Sequence, residues 1–211
     1  GGSGGCDGAT VELAMQYALV RGLSTTSEYG RYEARDGSCP NAVQDEESMK
    51  LLTGFSNDAG VFSLQQGAVG PTFGMKAWER LPSNRLRPLM HAVFYQGPVA
   101  VSVAANDFFF YDSGIFDDCR DFVVNHAVTL VGFGRDSGVD YRFVQNSWGD
   151  SWGEQGRLRI LRREDEQDHC GLDHQPQAGI ACEGETKPVT VCGTCGILYD
   201  SVLPHFGRVD S

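Results

Sequence analysis

Past Gly97 the apolar residues change their period, and that change constrains the fold more than any other feature of the chain. Val99, Val101 and Val103 alternate with small residues, and Ala127–Gly132, Tyr141–Gln145 and Arg157–Leu161 continue as strand-like runs. Before Gly97 the signals are helical. Val11, Ala14, Met15, Ala18 and Leu19 fall at helical spacing from a Thr10 cap to about Val20, with Gly22 closing the helix. A second, short helix is expected from a Ser83 or Asn84 cap to Tyr95, with Pro88 confined to its first turn. Residues 59–80 hold scattered apolar positions with no clear period. Helices first and strands afterwards fit an α+β chain with separate helical and sheet lobes. The expected ranges are 1–96, 97–181 and a Cys-containing tail, 182–211.

His126 and Asn146 stand at the mouths of two of the strand-like runs, and a glycine-aromatic stretch, Ser151-Trp152-Gly153-Glu154-Gln155-Gly156, follows the Asn. A His held by an Asn is half of a Cys-His-Asn apparatus: the imidazole takes the proton of a thiol and the amide fixes the ring. A lone His is more often a satisfied core residue, but the flanking motifs argue against that here. The nucleophile is the missing half, because no Cys sits in a Cys-Gly-Ser-Cys-Trp context or opens a helix.

The net charge of −11 over 211 residues argues against a nucleic-acid surface. No apolar run approaches the roughly 18 residues that span a membrane. Seven cysteines, several scattered singly as at Cys6, Cys39, Cys119 and Cys170, read as an oxidised framework, and the odd count leaves at least one free or paired outside the chain. No Asn-x-Ser/Thr sequon supports that compartment. The Gly1-Gly2-Ser3-Gly4-Gly5 start, without a basic n-region, reads as a processed product.

Several blocks together resemble the papain/cathepsin family of cysteine peptidases, in the family's order from Gly5 to about Leu172. They are Gly5-Cys6-Asp7-Gly8, the Tyr29 to Cys39 stretch, Gly97-Pro98-Val99-Ala100-Val101, Asn125-His126-Ala127-Val128 with Val131-Gly132-Phe133-Gly134, Asn146-Ser147-Trp148-Gly149 with Trp152-Gly153 and Gly156, and Cys170-Gly171-Leu172. The resemblance implies a papain-like two-lobe fold, a helical lobe plus an antiparallel β-barrel-like lobe, with the first helical segment missing. Residues 1–96 would then be the rest of the helical lobe with a substrate-binding loop and an insertion, and 97–181 the sheet lobe with the catalytic His and Asn. In that family the nucleophilic Cys lies about 130–150 residues before the His and Asn. That spacing puts it before Gly1, on an upstream or companion segment.

The same resemblance implies pairings and roles. Cys119 is expected to pair with Cys170, and Cys6 and Cys39 with cysteines of the companion segment; the alternative joins Cys6 to Cys39. His126 would charge the thiol and later protonate the leaving amine, Asn146 would set its ring, and Trp148 would shield their hydrogen bond. Trp152 would border the leaving-group side. Asp7, Gly8 and Ala9 would pair with an extended substrate, although Asp7 and Ala9 depart from the family's Asn and Gly, and Ala9 fits only at negative φ. Thr10, Val11, Ser102, Val124 and Gln175 map to the main specificity pocket, with Asn125 beside the His.

The tail is least familiar. Cys192-Gly193-Thr194-Cys195, with Cys182 nearby, is expected to hold a local disulfide with one thiol left over, the pairing among the three left open; alternatively Cys182, Cys192, Cys195 and His205 ligate zinc. No cofactor or resident metal is expected. The implied function is peptide-bond hydrolysis through an acyl-thioester by a lysosomal, vacuolar or secreted endopeptidase, since no His-rich occluding segment is evident. The alternative is an inactive homologue kept for binding or structure. Peptides are the expected partners, not nucleic acid or membrane.

Overall fold

The computed structural model describes residues 8–23, 31, 61–63, 74–181 and 184–207. Cys6, Asp7, Cys39 and Cys182 lie outside them. In order, the elements are helix α1 (Val11–Arg21), strands β1 (Val61–Ser63) and β2 (Met75–Arg80), helix α2 (Leu86–Tyr95), and strands β3 (Val99–Val103), β4 (Ile115–Phe116), β5 (His126–Asp136), β6 (Val139–Gln145), β7 (Arg157–Leu161), β8 (Cys170–Asp173), β9 (Val189–Cys192) and β10 (Ser201–Phe206). The chain is mixed α+β with a mainly antiparallel sheet, as the change of period predicts. The compact units differ from the expected ranges: one comprises 1–11 and 80–203, the other 12–79 and 204–211.

In the larger unit the strand order is β10-β3-β5-β6-β7-β4, antiparallel except where β4 runs parallel to β7. Alternation along the strands explains the core. Val99, Val101 and Val103 of β3, Leu130 of β5, Val144 of β6, and Leu158 and Ile160 of β7 all bury their side chains, around Phe108. Burying each such side chain contributes about 1.5–3 kcal/mol. α2 covers the sheet through Leu89, Ala92 and Val93. Its N-cap is Arg85 rather than the expected Ser83 or Asn84. Asn84 instead takes φ 59° and spends its side chain on β9, donating to Thr190 O and accepting from Cys192 N.

β9 and β10, within the expected tail, are paired into sheets. β9 pairs with β8, and β10 pairs with β3 through Ser201↔Val101 and Val202↔Ala100. A fully buried ion pair anchors the connection. Glu166 accepts from Arg142 Nη1 at 2.8 Å, from Thr194 N at 2.8 Å and from Arg163 N at 2.5 Å, joining β6 to the turn after β9.

In the smaller unit α1 ends where Gly22, at φ 75°, donates its amide to Ala18 O. Ala18 and Leu19 are buried, whereas Ala14 is exposed. Trp78 of β2 donates to Gln16 Oε1 at 3.0 Å. β1 and β2 pair antiparallel in the stretch where no period was legible.

Candidate active site

His126 is the first residue of β5, and Asn146 directly follows the last residue of β6. Thr129 pairs with Gln145 across this hairpin, so the antiparallel register brings the two side chains to the same end. His126 Nε2 lies 2.8 Å from Asn146 Oδ1. The same oxygen accepts the Ser147 amide at 2.8 Å, which identifies it as the carbonyl side of the Asn146 amide. An acceptor facing Nε2 requires a proton there. In the neutral ring the lone pair therefore resides on Nδ1, free to take a proton.

Three aromatic rings roof this pair. Trp148 lies 5.1 Å from the His126 ring, tilted by 33°, and Trp152 meets Trp148 edge-on at 5.1 Å. Trp152 Nε1 donates to Phe108 O at 3.2 Å, and Phe109 flanks Trp148 at 5.4 Å. Asn146 is nearly buried, so its bond to His126 is sheltered from competing water. The loop that folds the tryptophans back is built on glycines. Gly153 takes φ 54°, and a Cβ there would stand 2.7 Å from Arg157 O. Asn146 N donates to Gly156 O at 2.9 Å, closing the loop.

The segment entering His126 is held on several sides. Val124 N donates to Asp173 Oδ2 at 3.1 Å, Asn125 N to Val103 O, and Ala105 N to Asn125 Oδ1, while Asn125 Nδ2 donates to Asn106 Oδ1. Asp173 is fully buried, and sequence reasoning missed it because a buried carboxylate that serves backbone amides leaves no motif.

Gly8 takes φ 86° and Ala9 a negative φ, both exposed, whereas Thr10 and Val11 are buried. Ser102 is buried and donates its hydroxyl to Asp200 Oδ2 at 2.6 Å. Val124 is fully buried against Gly196, where an added Cβ would stand 2.9 Å from its Cγ2; Gln175 is exposed. The Val124 side chain packs near Gly196 and the Ser102 hydroxyl on Asp200, both in the segment between β9 and β10. An acidic-aromatic cleft of about 410 Å³ lies elsewhere, lined by residues that include Asp107, Phe110, Tyr111, Asp112 and Asp118.

Two expectations about sulfur are overturned. Cys119 bonds Cys195, not Cys170, and Cys170 bonds Cys192. The β8–β9 register sets Cys170 directly opposite Cys192, and the following turn places Cys195 behind Ala104, whose amide donates to Cys195 O at 2.9 Å. Cys192 and Cys195 thus form no local disulfide and are not free to ligate zinc. The described residues contain no cluster of three or more His, Cys, Asp or Glu that could hold a metal, and His205 instead meets Glu79 at 2.9 Å.

The family model for the papain family cysteine protease matches residues 1–180. The cysteine proteinase RD21A of Arabidopsis thaliana is 30% identical over 87% of this chain and 35% of its own length. Cathepsin J of Rattus norvegicus is 33% identical over 82% of this chain and 46% of its own. Among solved structures, a recombinant stem bromelain precursor matches at TM-score 0.64 with 28% identity, covering 97% of this chain and 52% of that one. A digestive procathepsin L 3 of Tenebrio molitor larval midgut matches at TM-score 0.62 with 28% identity, covering 95% and 49%. This chain therefore spans about a third to a half of the length of these relatives. With the His–Asn hairpin and its tryptophan roof, the matched 1–180 region establishes that the chain belongs to the papain family of cysteine proteases.

Proposed function

We propose that this chain supplies the catalytic His126 and Asn146 of a papain-like cysteine endopeptidase. The single observation that carries the reading is the 2.8 Å contact between His126 Nε2 and Asn146 Oδ1 under Trp148. With Nε2–H committed to Asn146, Nδ1 takes the proton of an attacking thiol. The thiolate adds to the scissile carbonyl, and the imidazolium then protonates the leaving amine. Water, deprotonated by the same nitrogen, hydrolyses the acyl-thioester. Trp148 excludes solvent from the orienting bond, and Trp152 borders the leaving-group side.

The nucleophile belongs to an upstream or companion segment. All four described cysteines are in disulfides, which supports this assignment because a bonded sulfur cannot attack. The substrate is a peptide held in extended form along the Asp7–Ala9 loop, with Thr10, Val11, Ser102, Val124 and Gln175 setting side-chain preference and Asn125 lying beside the reacting bond. Two disulfides fit an oxidising compartment, lysosomal, vacuolar or secreted.

The test is mass spectrometry of the native protein, nucleophile segment included, after treatment with a thiol-directed epoxysuccinyl compound. One inhibitor mass on a non-disulfide Cys, slowed strongly by His126→Ala, is expected. No gain of mass, or labelling indifferent to His126→Ala, overturns the reading in favour of a fold kept for binding.

A further inference from the structure

We propose that Asp173 is a positioning residue for His126, and that through it the β8–β9 hairpin sets where the imidazole stands. The catalytic weight of that role rests on the reading of His126 given above; the placement of the ring does not.

The segment that leads into β5, residues 122–125, belongs to no strand, yet it is gripped at its centre. Val124 N donates to Asp173 Oδ2 at 3.1 Å, across 49 residues of sequence. Asp173 Oδ1 accepts the Gln175 amide at 2.7 Å. Both oxygens of a fully buried carboxylate are thus engaged by backbone amides, and such bonds are about twice as strong as neutral ones. The carboxylate cannot turn without giving up one of them.

The hairpin that carries Asp173 is itself fixed. Asp173 is the last residue of β8, opposite Val189, and the disulfide between Cys170 and Cys192 closes the other end of the register. Asn84 ties β9 to the turn before α2 through Thr190 O and Cys192 N. Val124 is therefore held by elements remote in sequence as well as by its own neighbours.

Close contact adds to the grip. A Cβ on Gly179 would stand 2.5 Å from Val124 O and 2.9 Å from Asn125 Cα. Gly179 has φ −160°, which any residue adopts, so only this approach requires the glycine. Phe122 lies against Gly171 with no room for a Cβ between them. Asn125 is held in addition by its amide on Val103 O at 3.1 Å and by the Ala105 amide on its Oδ1 at 3.1 Å. His126 follows at once, opposite Val103, with its Nε2 at 2.8 Å from Asn146 Oδ1. Only Asn125 stands between Val124 and the imidazole, so a displaced Val124 carries the ring with it. A misplacement of about 1 Å at a reacting group can cost about 10²-fold in rate.

The test uses the protein with its nucleophile segment, labelled with nitrogen-15 histidine, and the His126 ring signal is identified by its loss in His126→Ala. Two variants disturb the segment in different ways. Asp173→Asn replaces one acceptor oxygen by an amino group and strands an amide; Gly179→Ala presses a Cβ onto Val124 O. In each the His126 ring signal is expected to shift while those of His91 and His205 stay in place. An unmoved His126 signal in the folded variants overturns the proposal, and Gly179→Ala alone decides if Asp173→Asn does not fold. Peptide-substrate kinetics give a second readout: kcat per site titrated with an epoxysuccinyl inhibitor should fall about 10- to 100-fold in Asp173→Asn. A loss that only follows the number of titrated sites makes Asp173 a structural residue and overturns the proposal. Wild-type protein that takes no inhibitor defeats the catalytic reading of His126, whereas the ring signal still decides the role of Asp173.

Discussion

Replacing Glu166 by Ala tests how the C-terminal strands are held. The carboxylate is fully buried and takes three donors: the Arg142 guanidinium and the amides of Arg163 and Thr194. Arg142 is equally buried, and its Nε and Nη2 have no hydrogen-bond partner among the described residues, so Glu166 is its compensation. Burial already pulls the Arg142 pKa below its ordinary value, and the Glu166 charge opposes that pull. Removing one partner of a buried pair costs about 3–5 kcal/mol, and each stranded amide about 1–3 kcal/mol. The losses share one site and do not sum. An effect near the top of the first range, about 5 kcal/mol, is expected against a total stability of about 5–15 kcal/mol. Urea unfolding followed by tryptophan fluorescence measures it as a fall in midpoint. The Arg142→Met/Glu166→Leu double variant removes both charges but still strands two amides, so it should lose about 2 kcal/mol or more, yet less than Glu166→Ala. A Glu166→Ala loss under about 1 kcal/mol, or a double variant as damaged as the two singles added, would refute the reasoning.

In the protein carrying its nucleophile, His126→Ala should lower kcat/KM by about 10³-fold or more. Asn146→Ala should lower it less, because the general base remains and only its orientation is lost; peptide-substrate kinetics decide the order. Gly153→Ala should cost about 1–3 kcal/mol in urea unfolding, because the new Cβ meets Arg157 O at 2.7 Å on a backbone with φ 54°. Hydrogen bonding from Arg159 holds the Glu154 carboxyl below its ordinary pKa. Its contribution is therefore complete above the unfolded value of about 4.3 and is lost as pH falls through the lower folded value. The stability gap between wild type and Glu154→Gln should shrink between pH 6 and pH 3, and a constant gap would count against the Arg159 pairing.

The sequence revealed the His–Asn hairpin because each half lies at a strand end inside a long motif, where local pattern and tertiary role coincide. The strands β3, β5, β6 and β7 were legible for the same reason. β2 was not: Met75 and Trp78 are its buried residues, and a spacing of three does not read as a strand. The disulfides were misread because a Cys-Gly-apolar triplet occurs twice, at Cys170-Gly171-Leu172 and Cys195-Gly196-Ile197, and sequence alone cannot say which reaches Cys119. β10 was missed because Val202 and Leu203 form only a brief apolar run before Pro204. The inward face of Arg142 follows from the β6 alternation, but its partner Glu166 depends on a loop closure that no periodicity encodes. The contacts of Ser102 with Asp200 and of Val124 with Gly196 were not legible because residues 196–200 lie far along the chain.

His126 and Asn146 are separated by 20 residues and joined through one hairpin, whereas β10 reaches β3 with Ser201 opposite Val101. Closing the short loop costs about 1.4 kcal/mol less than closing the long one, and contacts of small sequence separation form sooner. The orienting bond of the site is therefore available to an early folding nucleus built on β5 and β6. The cover supplied by β9 and β10 arrives later in folding. A chain arrested before that docking would hold its imidazole already aligned while Ser102 and Val124 stand uncovered, which makes the interval before β10 docks the vulnerable stage of its folding.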